Sequence, residues 1–132
     1  MRWWPFGKRD SPPAEPAPLR GGRPRLKTYS AQTGYVWQYY FEGFRPVTEG
    51  WEYAFQATAD RRTWQALSVI VESRTVQKWE AVRRPLTPSE RHGIAKMSLF
   101  AAFDCYDPPQ TMPRRIVPTF DQLERIAGEL DL

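Results

Sequence analysis

The sequence predicts an α+β fold: a three- or four-stranded antiparallel meander, then two or three helices packed on one face, with an extended N-terminal arm. Three observations carry this. Hydrophobic residues recur with period two between Tyr35 and Glu72, and with a helical period after that. The connections between the alternating runs are short and hold turn residues, as in strands that pair with their neighbours in sequence. The first 27 residues follow neither period and are rich in proline and arginine.

The arm comes first and spans residues 1–27, leaving 28–132 as a single α+β domain. Its opening, MRWWPFGKR, sets Trp3, Trp4 and Phe6 among Arg2, Lys8 and Arg9. From Ser11 to Pro24, five prolines and two glycines in fourteen residues exclude a helix interior or a central strand and suit an extended spacer. Seven basic residues against two acidic ones place +5 on the arm. The chain as a whole carries +4, so the domain is close to neutral at −1.

LKTYSAQ is a weak first strand. GYVWQYYFEG is a stronger second, with Tyr35, Trp37, Tyr39 and Phe41 on one face and Val36, Gln38, Tyr40 and Glu42 on the other. WEYAFQAT alternates in the same way, and TWQALSVIVES puts Leu67, Val69 and Val71 on one face. Turns are expected at Thr33-Gly34, from Gly43 to Gly50 around Pro46, and from Asp60 to Thr63. One face of such a sheet is covered and the other is more open to solvent.

RTVQKWEAVRR spaces Val76, Trp79 and Val82 three apart, a short helix stopped by Pro85. LTPSERHGIAKMSLFAAFD starts a second helix with Thr87 as N-cap, Pro88 at the first helical position and Glu90 three residues after the cap. Its MSLFAAF half is apolar nearly all round, which predicts a central, buried position. After the proline-rich DPPQTMPRRIVP, TFDQLERIAGEL repeats a Thr-x-x-Gln cap and aligns Phe120, Leu123, Ile126, Ala127 and Leu130.

Catalytic chemistry finds no support in these residues. His92 and Cys105 are the sole members of their kinds, but thirteen residues of helix separate them by about 20 Å on different faces, too far for a nucleophile and its base. His92 is expected to be an exposed first-turn residue, and Cys105 a small packing residue at the helix end. Glu42, Glu49 and Glu52 read as solvated turn acids. Asp104 and Asp107 lack the partners of a metal site. No glycine-rich phosphate loop occurs. The expectation is no enzyme, no metal and no cofactor. A single cysteine excludes an internal disulfide and fits a reducing cytoplasm. No apolar run follows the basic N-terminal residues, so no secretory signal is expected, and no window is long and apolar enough to span a bilayer.

The TGYVWQYYF stretch resembles, at Gly34, Tyr35 and Tyr40, the aromatic strand of an RNA-recognition motif. Thr33, Val36 and Gln38 depart from it, and that fold interleaves its helices with its strands. The resemblance implies bases stacking on the sheet, an alternative in which the basic arm would hold phosphates. An enzyme of unrecognised type is the other alternative. The primary expectation is a non-enzymatic accessory protein: a peripheral subunit or assembly factor of a larger protein complex, cytoplasmic or peripheral to a membrane complex. It would dock through Arg2, Trp3, Trp4, Phe6, Lys8, Arg9, Arg23 and Arg25 of the arm and through Val36 and Tyr40 on the open sheet face. Trp and Arg are frequent interface anchors, and a proline-stiffened spacer loses little entropy on docking. The tryptophans and basic residues of the arm also suit a membrane surface.

Overall fold

Each strand pairs with the one before it. The computed structural model describes residues 17–132. Within them β1 (Arg23–Ser30), β2 (Val36–Val47), β3 (Gly50–Thr58) and β4 (Gln65–Glu72) form an antiparallel meander. Helices α1 (Ser73–Glu80), α2 (Pro88–Cys105) and α3 (Phe120–Glu129) follow. Between α2 and α3 a 3-10 turn at Pro109–Thr111 leads into β5 (Arg115–Ile116), which adds in parallel to the edge of β4. A strand of two residues has no periodicity to read, so β5 is an addition to the expected meander.

β1 begins at Arg23, inside the segment that composition assigns to the arm, and Arg20 already bridges Phe44 through two backbone hydrogen bonds of 2.8 Å. Pro24 is tolerated there because β1 is an edge strand. In place of the expected Gly43–Gly50 loop, β2 runs on through Gly43 and Pro46 to Val47, and a two-residue turn at Thr48-Glu49 joins it to β3. The reason is a bulge. Phe41 pairs with Phe55 and Gly43 with Ala54, so one residue of β2 is extra, and Phe41 and Phe44 both reach the Tyr53 ring. Gly43 has φ 142°, and a Cβ there would lie 2.9 Å from both Arg20 O and Leu19 Cβ.

The covered face of the sheet presents Trp37, Tyr39, Tyr53, Phe55, Ala57, Leu67, Val69 and Val71, all buried. α2 lies over it with Ile94, Ala95, Leu99, Ala102 and Phe103 buried, while Met97, Ala101 and Phe100 are half-buried. Phe103 stacks on Trp37 at 4.4 Å and Phe100 on Tyr29 at 4.2 Å, so the aromatic side of the sheet meets the apolar half of α2. α1 adds Val76 and Trp79, and α3 adds Leu123, Ile126 and Ala127. α1 is shorter than its sequence pattern. The chain turns back where Glu80 accepts the Leu86 N–H at 2.6 Å, which buries Leu86 and leaves Val82 71% exposed beyond the helix.

Both threonine caps form as reciprocal boxes, Thr87 with Glu90 and Thr119 with Gln122. Arg84 strengthens the first by donating to both Glu90 oxygens at 2.9 and 2.8 Å. The Arg84 hydrogen bond and then the Thr87 backbone N–H, with the Arg84 charge, outweigh burial and hold the Glu90 carboxyl at about 2 instead of the ordinary 4.5. A depressed carboxyl stabilises the fold above its unfolded value, and this contribution is lost as pH falls through 2. Thr87→Ala is expected to cost about 1 kcal/mol. Urea unfolding at neutral pH checks this as a lower midpoint with unchanged slope. Among the described residues no helix is long and apolar enough to cross a membrane.

Candidate interaction surface

The sheet face opposite the helices divides into two halves of different chemistry. On the β1–β2 side exposed apolar residues alternate with Thr28, Ser30 and Gln38. Val36 is 48% exposed, and Tyr40 is half-buried because the Trp64 ring packs against it at 5.7 Å. Trp64 itself is 42% exposed, and Leu26, in the irregular stretch of β1 between Arg23 and Lys27, is 54% exposed. Val36 and Tyr40 thus lie on the face away from the helices.

The sequence pattern includes Trp64 in the fourth strand, whereas the strand starts one residue later. Its position comes from the preceding loop. Asp60 Oδ1 accepts from the Arg62 and Thr63 backbone N–H groups at 2.8 Å each, and these bonds hold its carboxyl below the usual range. The Thr58 hydroxyl accepts from Arg61 N at 3.0 Å, with Arg61 at φ 65°. The tied loop reverses the chain so that the indole returns over β2. The signal available in sequence is the Asp60–Thr63 turn chemistry, which marks the reversal but not what the next side chain meets.

Towards β4 the same face is polar and satisfies itself. Arg45 donates to Glu52 at 2.7 Å, the Ser68 hydroxyl donates to the other Glu52 oxygen at 2.5 Å, and Arg115 pairs with Glu49 at 2.8 Å. Burial pushes the Glu52 carboxyl up, but hydrogen bonds from Arg45 and Ser68, with the Arg45 and Arg115 charges, leave it below its ordinary value. Ala54 and Ile70 are buried among these groups. Glu49 and Glu52 are therefore not simply solvated turn acids but ion-pair partners that tie β2, β3 and β5 together. Glu42 accepts from Gln56 at 3.3 Å.

Around the far edge, a groove of about 480 Å³ runs between the end of α2, β5 and α3, with Ala101, Tyr106 and Pro118 among its walls and Arg115 and Arg125 among its charged groups. Cys105 is on its rim and exposed, not packed, because it is the last residue of α2. His92 also departs from expectation: it is half-buried, with its ring 4.5 Å from Phe41 and 5.5 Å from Tyr53, because the first turns of α2 already lie over the sheet. Asp104 accepts from the Tyr29 hydroxyl at 2.7 Å and from Gln32 N at 2.9 Å. Burial, with that hydrogen bond and charge, pushes the Tyr29 phenol up to about 12. Among the described residues no cluster of three His, Cys, Asp or Glu side chains could hold a metal ion.

Of the arm residues singled out from sequence, Arg2, Trp3, Trp4, Phe6, Lys8 and Arg9 lie outside the described residues. Arg23 enters the sheet opposite Phe41, and Arg25 is exposed on β1. No known protein family, curated protein or solved structure matches this chain.

Proposed function

We propose that this chain is a non-enzymatic accessory protein, a peripheral subunit or assembly factor of a larger protein complex, that docks through its N-terminal arm and its open sheet face. The observation that carries the reading is the exposed Val36 and the Tyr40–Trp64 ring pair on that face, which no element among the described residues covers. Tyr and Trp are enriched at the centres of interfaces, where one large rigid ring buries much area at little entropic cost. The arm supports the same reading from its sequence: Trp3, Trp4 and Phe6 as anchors, flanked by Arg2, Lys8 and Arg9 for acidic partners.

The test is a native-source pull-down at moderate salt with the full chain and two double variants, Trp3→Ala with Trp4→Ala and Tyr40→Ala with Trp64→Ala. Point substitutions are preferable to truncation at Thr28, which would cut β1 in half. Each variant is expected to lose at least about tenfold of the partner recovered by the wild type while its melting curve stays cooperative. Recovery of the same partners in the same amounts by both variants overturns the proposal.

A further inference from the structure

Three cations converge on one pocket with no carboxylate among the described residues to answer them. Between β1 and the first turns of α2 lies a pocket of about 220 Å³. Arg25, Lys27, His92 and Lys96 line it above a floor of Tyr39, Phe41 and Phe55. The fold brings them together in two steps. Lys27 pairs directly with Tyr39, which points its side chain to the covered face. His92 and Lys96, four residues apart, share one side of α2 and meet it from above. Among the described residues no acidic side chain lines the pocket and no salt bridge takes up Arg25, Lys27 or Lys96.

Such an arrangement is unfavourable without an anion. Burial, and then the nearby Lys27 ammonium, hold Lys96 below the usual lysine range. Burial, followed by the charges of Lys96 and Lys27, lowers the His92 imidazole in the same way. Like charges at short range over an apolar floor repel more strongly than on an open surface. An anion in their midst would add an attraction to each of these cations that offsets their mutual repulsion.

We infer that this pocket binds the phosphate group of a small anionic ligand. A phosphate dianion answers more of the positive charge than a single carboxylate does. The Arg25 fork can engage two of its oxygens while the two lysines act as point charges. The His92 ring supplies a further donor, and Tyr39, Phe41 and Phe55 offer an apolar surface for the organic part that carries the phosphate. The site is separate from the open sheet face and shares only Arg25 with the residues expected to dock, so Lys96 and His92 test it apart from the docking proposal.

His92 is the only histidine in the chain, so its Cε1 proton is a single reporter placed in the pocket. The experiment follows that resonance in the full chain at low ionic strength. Inorganic phosphate is titrated against sodium chloride and acetate at matched ionic strength. Phosphatidylcholine vesicles containing phosphatidic acid are added in a separate series. The groups facing the ring are Lys96 on its own helix, Lys27 and Arg25 on β1, Phe41 on β2 and Tyr53 on β3. With phosphate bound, a saturable shift is expected and the His92 pKa rises. Arg25→Gln with Lys96→Gln should weaken binding by at least about tenfold, the effect of losing charge-assisted hydrogen bonds. Saturation by free phosphate supports a soluble ligand, and a response to phosphatidic acid vesicles alone supports a lipid headgroup. A response no larger than that to chloride or acetate overturns the assignment. So does undiminished binding by the double variant, whose amide dispersion reports whether it is folded.

Discussion

Trp37→Ala is expected to destabilise the domain by about 3–5 kcal/mol. Trp37 is fully buried in β2, pairs with Tyr29 of β1 and stacks on Phe103 of α2 at 4.4 Å with an interplanar angle of 14°. It joins the sheet to the central helix. The space it would leave is walled by hydrogen-bonded strands and by a helix packed along its length, so the surroundings cannot collapse into it. The cost therefore includes the cavity as well as the lost transfer energy. Set against a typical domain stability of about 5–15 kcal/mol, that is a large share. Trp37→Phe is the informative companion. Its ring can stay against Phe103, and the indole N–H has no acceptor among the described residues, so volume is lost but no hydrogen bond. The expected loss is less than half that of Trp37→Ala. Urea unfolding followed by far-UV circular dichroism measures both without relying on tryptophan emission. A loss below about 1 kcal/mol for Trp37→Ala, well under the range for a buried aromatic, would show that this stack does not hold the two layers together.

Gly50→Ala is expected to cost about 3 kcal/mol, at the upper end for overpacking, although it adds a single methyl group. Gly50 opens β3 between Val47 on one side and Glu72 on the other. A Cβ at this position would clash with Val71 O and lie 2.7 Å from Ser73 N. Neither neighbour can withdraw cheaply, because both are backbone. Val71 belongs to the β3–β4 ladder, and Ser73 N donates to Glu49 O at 2.8 Å where β4 passes into α1. The methyl must therefore part the strand pair or break the start of α1. Gly128 is the matched control. It sits at an exposed position of α3, where a Cβ would meet nothing within 4 Å, so Gly128→Ala gains helix propensity of about 1 kcal/mol. Chemical denaturation of the two variants side by side checks the contrast. A Gly50→Ala protein as stable as wild type would mean that the backbone of Val71 and Ser73 can draw back from β3 at little cost.

Features written within a few residues are legible in advance. The alternation of Trp37, Tyr39 and Phe41 against Val36, Gln38 and Tyr40 is a property of one strand, and so is the division into covered and open faces that follows from it. The caps at Thr87 and Thr119 are closed by side chains three positions away, so their chemistry is visible without any partner element. The apolar circumference of the second half of α2 announces its place against the sheet, although Met97, Phe100 and Ala101 stay half-buried.

Where periodicity misleads, the deciding contact comes from elsewhere in the chain. Gly43 looks like the end of a strand because glycine commonly ends one. It is a bulge because Leu19 and Arg20 pass against it. β5 exists because β4 has a free edge for Arg115 and Ile116 to join. Trp64 becomes part of the open face only when its loop returns it to Tyr40.

By itself, then, the sequence determined the order of strands and helices, their caps and the faces that turn inward, since period and capping are short-range matters of backbone geometry. Tertiary structure decided the bulge, the fifth strand, the ion pairs on the open face and the pocket where Lys27 of β1 meets His92 and Lys96 of α2. Those features depend on register and on packing between layers. They arise only when segments distant in sequence compete for the same space and the same hydrogen-bonding groups.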